Sequence, residues 1–155
     1  MWSRGSSPCG NSGMTAATRR AVLLLPVAAS AAAASEMAAA EREILAGRAP
    51  REAGIAFDMP RLSENGNSVD VSVRVDSPMT AADHVRAIHI LSEKNPVPRV
   101  ASFFLTPRAG RAEVATRIRL ATSQQIVVLA ETSAGEVHRA AREVIVVLGA
   151  CVEGG

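Results

Sequence analysis

Val69-Asp70-Val71-Ser72-Val73-Arg74-Val75 decides the fold. Four valines alternate with three polar residues. In an extended chain this puts every apolar side chain on one face and every polar one on the other, whereas a helix would scatter the valines around its circumference. Valine is also β-branched and packs well on a pleated surface. The stretch is a half-buried strand.

Working outward, further strands are expected at Val85–Ser92, Arg99–Thr106, Arg111–Leu120, Gln125–Thr132 and Val137–Leu148, with a short one at Ile55–Met59. Turn chemistry falls between them: Asn65-Gly66-Asn67, Ser77-Pro78, Asn95-Pro96-Val97-Pro98, Ala109-Gly110 and Ser133-Ala134-Gly135. The Ala109-Gly110 and Ala134-Gly135 positions read as tight hairpins. No interval has room for the helix that a parallel crossover needs. About seven short strands with regular punctuation therefore predict an all-β, antiparallel sandwich of immunoglobulin type over residues 54–148. Within the last strand, Val144-Ile145-Val146-Val147-Leu148 lacks any polar alternation, so both of its faces call for burial, one within the sandwich and the other against a partner subunit.

Ahead of the sandwich, Glu36–Ala46 mixes Met37, Ala40 and Ile44 with charged residues and predicts a short helix that Gly47 stops, within a segment 35–53. Further upstream, Arg19-Arg20 precedes an apolar stretch, Ala21–Ala29, and a small-residue run, Ser30–Ser35. This is the layout of an export signal over residues 1–34, and the arginine pair points to the twin-arginine route and a periplasmic destination. The apolar stretch is far shorter than the roughly 20 residues of a spanning helix, so no membrane span is expected.

Cleavage near Ala34 changes the charge. Arg4, Arg19 and Arg20 leave, so 14 of the 17 basic residues remain against 15 acidic ones, a net charge of about −1 in place of +2. That balance, with aromatics at 3% and no tyrosine, excludes a nucleic-acid platform. Cys9 leaves as well, and Cys151 becomes the only thiol of an exported chain, a reactive free thiol or one that pairs between molecules. It sits in Gly149-Ala150-Cys151-Val152-Glu153-Gly154-Gly155, where three glycines in seven residues and the absence of anything to pack predict a flexible arm.

Other chemistry is weak. His84, His89 and His138 have no partners at metal-ligand spacing, and His89, between Ile88 and Ile90, reads as a packing histidine. No carboxylate pair suggests acid–base work, and no cofactor or metal is expected. Arg108, Arg111, Arg117 and Arg119 group in one predicted hairpin; a solvated strand face is the plain reading, an anion site near the thiol the sharper one.

Phe57-Asp58-Met59-Pro60, Glu64-Asn65-Gly66-Asn67-Ser68-Val69, Val75–Val85, Ile88-His89-Ile90, Asn95-Pro96-Val97-Pro98, Thr106-Pro107-Arg108 and Gly110–Leu120 together resemble the SoxY family, the sulfur-carrier subunit of the periplasmic thiosulfate-oxidising system. The resemblance runs from about Gly54 to Leu148. It implies an immunoglobulin-like sandwich paired with a SoxZ-like subunit, acting as a carrier and not an enzyme. The carrier cysteine of the family stands in a Gly-Gly-Cys-Gly-Gly tail, and Cys151 and Gly149 match its cysteine and first glycine. Sulfur intermediates held there are presented to a haem-containing thiosulfate-loading enzyme, a sulfate-releasing hydrolase and, in some systems, a sulfane dehydrogenase. Ala150, Val152 and Glu153 depart from the family tail, and Gly154-Gly155 supply a displaced glycine pair. Two other readings stand beside the carrier: a SoxY-like scaffold or binding module whose tail no longer carries sulfur, and a thiol enzyme. The last is disfavoured because a mobile arm does not pre-organise a nucleophile.

Overall fold

The computed structural model describes residues 28–149, with side chains from Glu36. A helix, α1 (Ala28–Leu45), precedes eight strands: β1 (Ile55–Asp58), β2 (Leu62–Asn65), β3 (Val69–Val75), β4 (Val85–Ser92), β5 (Arg99–Phe104), β6 (Ala112–Ile118), β7 (Gln124–Thr132) and β8 (Val137–Leu148). They form two sheets, β1-β3-β6 and β2-β8-β7-β4-β5, packed as an immunoglobulin-like sandwich.

The valines of β3 behave as their spacing demands. Val69, Val71, Val73 and Val75 are all buried and meet Ile88 and Ile90 of β4 and Ile126 and Val128 of β7 across the sandwich. The intervening Asp70 and Arg74 face solvent and pair with Arg117 and Glu113 on β6. Strands β4 and β7 are buried on both faces. Their second face is covered by α1, whose Met37, Ala40 and Ile44 lie at helical spacing over Leu91, Val127, Leu129 and Val137. Burial of Met37 and Ile44 contributes about 1.5–3 kcal/mol each.

Polar bonds lock the helix in place. Arg139 reaches Glu41 at 2.7 Å and Arg99 reaches Glu43 at 3.3 Å. Past the last turn, Arg48 donates to the carbonyls of Ile44 and Leu45, a cation at the negative end of the helix, and to Glu131 of β7 at 2.8 Å. The helix ends through Ala46 and Gly47, both at positive φ, so Gly47 supplies the stop expected of it. Gly54 is required for a different reason. Its φ is +80°, and a Cβ there would lie 3.2 Å from the His138 ring, whose Nδ1 donates to the Ala53 carbonyl at 2.7 Å.

Several expectations need correction. The helix starts at Ala28, inside the stretch assigned to the export signal, because alanine is the strongest helix former. Strand β2 falls partly on residues read as a turn, and it pairs with β8 in parallel, so the sandwich is not wholly antiparallel. The Ala109-Gly110 turn is no hairpin: β5 lies in the five-stranded sheet and β6 in the three-stranded one, and a short 3-10 turn, Pro107–Ala109, makes the crossing. The Ala134-Gly135 hairpin is present, joining β7 to β8. At the end of β8, by contrast, the sandwich covers one of the two apolar faces, as expected. Val144 and Val146 are buried, while Ile145 and Val147 stand 58% and 63% exposed.

Candidate functional site

The described residues stop at Gly149, so Cys151, with Ala150, Val152, Glu153, Gly154 and Gly155, lies outside them, as do Arg19 and Arg20. What the structure gives is the root from which that thiol is reached. Strand β7 begins at Gln124, opposite Val144, so residues 145–148 of β8 run on past their antiparallel neighbour. One edge of this overhang is taken by β2, with Leu62 opposite Ile145, Ser63 opposite Val146 and Asn65 opposite Leu148. Gly66 closes the pairing: its N–H donates to the Leu148 carbonyl at 2.7 Å, and its own carbonyl accepts from Leu120 at 2.8 Å. On the other edge no strand lies among the described residues. Instead the hydroxyl of Ser123 accepts from the Val146 N–H at 2.9 Å and donates to the Val146 carbonyl at 3.3 Å.

The outer face of the overhang is apolar. Leu62 of β2, 57% exposed, lies beside Ile145, and Val147 follows on the same face of β8. This strip continues the face that α1 covers higher on the sheet. Gly149 is half-buried and follows directly. From it, Cys151 is reached in at most about 7–10 Å of extended chain.

The four arginines do not meet. Arg117 pairs with Asp70 at 2.8 Å; Arg108 and Arg111 sit by the 3-10 turn at the far end of β6; only Arg119 lies at the end where β8 finishes. The reading of a shared anion site in one hairpin fails because there is no hairpin to collect them.

The histidines also lie away from the arm's root. His138 is near the start of β8, roughly 30 Å of strand from Leu148 at 3.3 Å per residue. His84 precedes β4 at that same far end, and its Nδ1 is buried with no partner among the described residues. His89 is a satisfied packing histidine, as expected: Nδ1 is 2.8 Å from Ser102 Oγ and Nε2 is 3.1 Å from Glu131 Oε1. Hydroxyl, imidazole and carboxylate follow the order of a nucleophilic triad, but the second Glu131 oxygen is held by Arg48. The chain of bonds thus ties the end of α1 into the sheet. Burial pushes the Glu131 carboxyl up, yet hydrogen bonds from Arg48 and His89 and the charges beside it prevail and hold it below the usual glutamate value. Among the described residues no three His, Cys, Asp or Glu side chains converge to hold a metal ion, and no helix is long and apolar enough to cross a membrane.

These features define a class: an immunoglobulin-like sandwich whose strand β8 runs on past β7, with a cysteine following it in the sequence. The sequence matches the family model described as sulfur oxidation protein SoxY over residues 41–151, and the chain belongs to the SoxY family. Among solved structures it is similar to the sulfur carrier protein SoxY from Chlorobium limicola f thiosulfatophilum, at 30% identity and a TM-score of 0.62, covering 76% of this chain and 96% of that one. It is also similar to the superoxide reductase (neelaredoxin) from Ignicoccus hospitalis, at 18% identity and a TM-score of 0.54, covering 61% of this chain and 80% of that one. The second likeness is one of fold alone. A search of curated protein sequences returned no match.

Proposed function

We propose that this chain is a sulfur carrier of thiosulfate oxidation, holding sulfur intermediates covalently on Cys151 and presenting them to partner enzymes. One observation carries the reading: the SoxY match does not stop with the sandwich at Leu148 but extends to Cys151 itself. The Chlorobium relative is a sulfur carrier. Loading from thiosulfate joins its terminal sulfur to Cys151 Sγ. The thiol proton passes to water, and two electrons pass to an oxidant, the role of the haem-containing loading enzyme. Hydrolysis of the resulting S-thiosulfonate then releases sulfate and leaves a persulfide on Sγ. No cofactor resident in this chain is needed for either step, since it supplies only the sulfur atom to which cargo is attached.

The strip formed by Leu62, Ile145 and Val147 is the surface on which a SoxZ-like subunit docks. A stable pair would bury about 1,200–2,000 Å² in total. The destination is the periplasm, reached by the twin-arginine route. Arg19→Lys with Arg20→Lys should leave the precursor inside the cell, with Cys151 unloaded. Fractionation checks this, and an undiminished periplasmic yield would contradict it.

A second reading, a module whose tail no longer carries sulfur, is favoured by the tail itself. Val152 is β-branched where the family tail has glycine, and the Glu153 carboxylate repels an anionic adduct on the nearby thiol. Val152→Gly with Glu153→Gly should leave the melting temperature unchanged and speed enzymatic loading several-fold. Slower loading would mean that the natural tail is matched to its own partners.

A further inference from the structure

We propose that the buried polar cluster Ser92–Asn95–Gln124, acting through Ser123, positions the root of the Cys151 arm. Its use in sulfur transfer rests on the carrier reading above; the anchoring itself does not.

The loops 92–98 and 119–123 meet at the end of the sandwich where β8 finishes. Asn95 joins them with every polar atom of its side chain. Its Nδ2 donates to the Arg119 carbonyl at 2.8 Å, and its Oδ1 accepts from the Ala121 N–H at 2.9 Å and from Gln124 Nε2 at 3.0 Å. Gln124 Oε1 in turn accepts from the Ser92 hydroxyl and from the Lys94 N–H. All three side chains are buried. Amides that deep, with each nitrogen and oxygen bonded, fix a loop in one conformation, because another arrangement leaves a buried polar group without its partner. Lys94 Nζ adds a bond to the Ser123 carbonyl at 3.0 Å.

The cluster sends none of its hydrogen bonds to the apolar strip. Its output is Ser123, whose hydroxyl bonds both backbone groups of Val146 on the edge that β7 has left open. Without it the overhang is paired on the β2 side only, and a strand held on one edge twists and frays. The fixed loop thus stands in for the missing neighbour, and the direction in which β8 leaves the sheet follows from it.

The test replaces Ser123 and leaves the three buried side chains intact. In Ser123→Ala, the Val146 amide should exchange with solvent about tenfold faster, while amides in the middle of β7, such as Leu129, keep their protection. With thiosulfate and the loading enzyme, kcat/KM for Cys151 should fall several-fold, since a frayed root must be ordered again each time the enzyme takes hold of the arm. Alkylation of Cys151 by a small reagent should keep its rate, and Ser123→Thr, which restores a hydroxyl, should recover both readouts. Unchanged exchange at Val146, or unchanged loading despite faster exchange, would overturn the positioning role. If the natural chain accepts no sulfur at all, the carrier reading fails, and the anchoring stands or falls on the exchange result.

Discussion

Cys151→Ser should abolish sulfur loading completely while leaving the sandwich intact. The loss is total because a serine hydroxyl cannot form the S–S bond to the thiosulfate sulfur, and Cys9 is expected to leave with the export signal. No other residue can substitute, because the sequence holds no third cysteine. Serine is close to cysteine in size, so the melting temperature should match that of the natural chain. Radiolabelled thiosulfate with the loading enzyme reads the result. Label retained on the serine variant would place the attachment elsewhere.

Charging the exposed strip should cost the partner and spare the monomer. Ile145→Asp with Val147→Asp changes two side chains that stand more than half exposed, so the free chain loses little beyond strand propensity, on the order of 1 kcal/mol per site. In a complex the same carboxylates would be buried without partners, at a cost of about 3–5 kcal/mol for even one of them. At 1.4 kcal/mol per tenfold, the Kd for a SoxZ-like subunit should rise at least about a hundredfold. Phe104, 79% exposed on the other edge of the same sheet, provides the control. Phe104→Asp should leave binding unchanged. Titration by calorimetry checks both, and the opposite pattern would put the partner on the β5 edge.

Much of the sandwich was legible because single strands with one buried face write their burial into a period of two, as β3 does. What periodicity does not encode is which sheet a strand joins. The run around Ala112–Ile118 reads the same whether its neighbour is β5 or β3, and the crossing at Pro107–Ala109 therefore looked like a hairpin. Strand β2 carries a single apolar residue, Leu62, and exists only because the overhang of β8 offers it a parallel edge. The apolar run of β8 calls for burial on both faces, and the sandwich meets that call only for Val144 and Val146; such a run signals a need for burial without saying which neighbour supplies it. The root of the candidate site had the same limit. Asn95-Pro96-Val97-Pro98 reads as turn chemistry, but the bonds from Asn95 to Arg119, Ala121 and Gln124 span 24 to 29 residues of sequence. No local pattern could have linked them to Val146.

The most direct test of the carrier role is intact-mass spectrometry, with fragment mapping, of the mature chain purified from the periplasm of cells oxidising thiosulfate. The account predicts a population carrying sulfur or S-thiosulfonate adducts, all localised to Cys151 and removed by a thiol reductant. A mass corresponding only to the bare thiol, in cells shown to be turning over thiosulfate through this system, would contradict it.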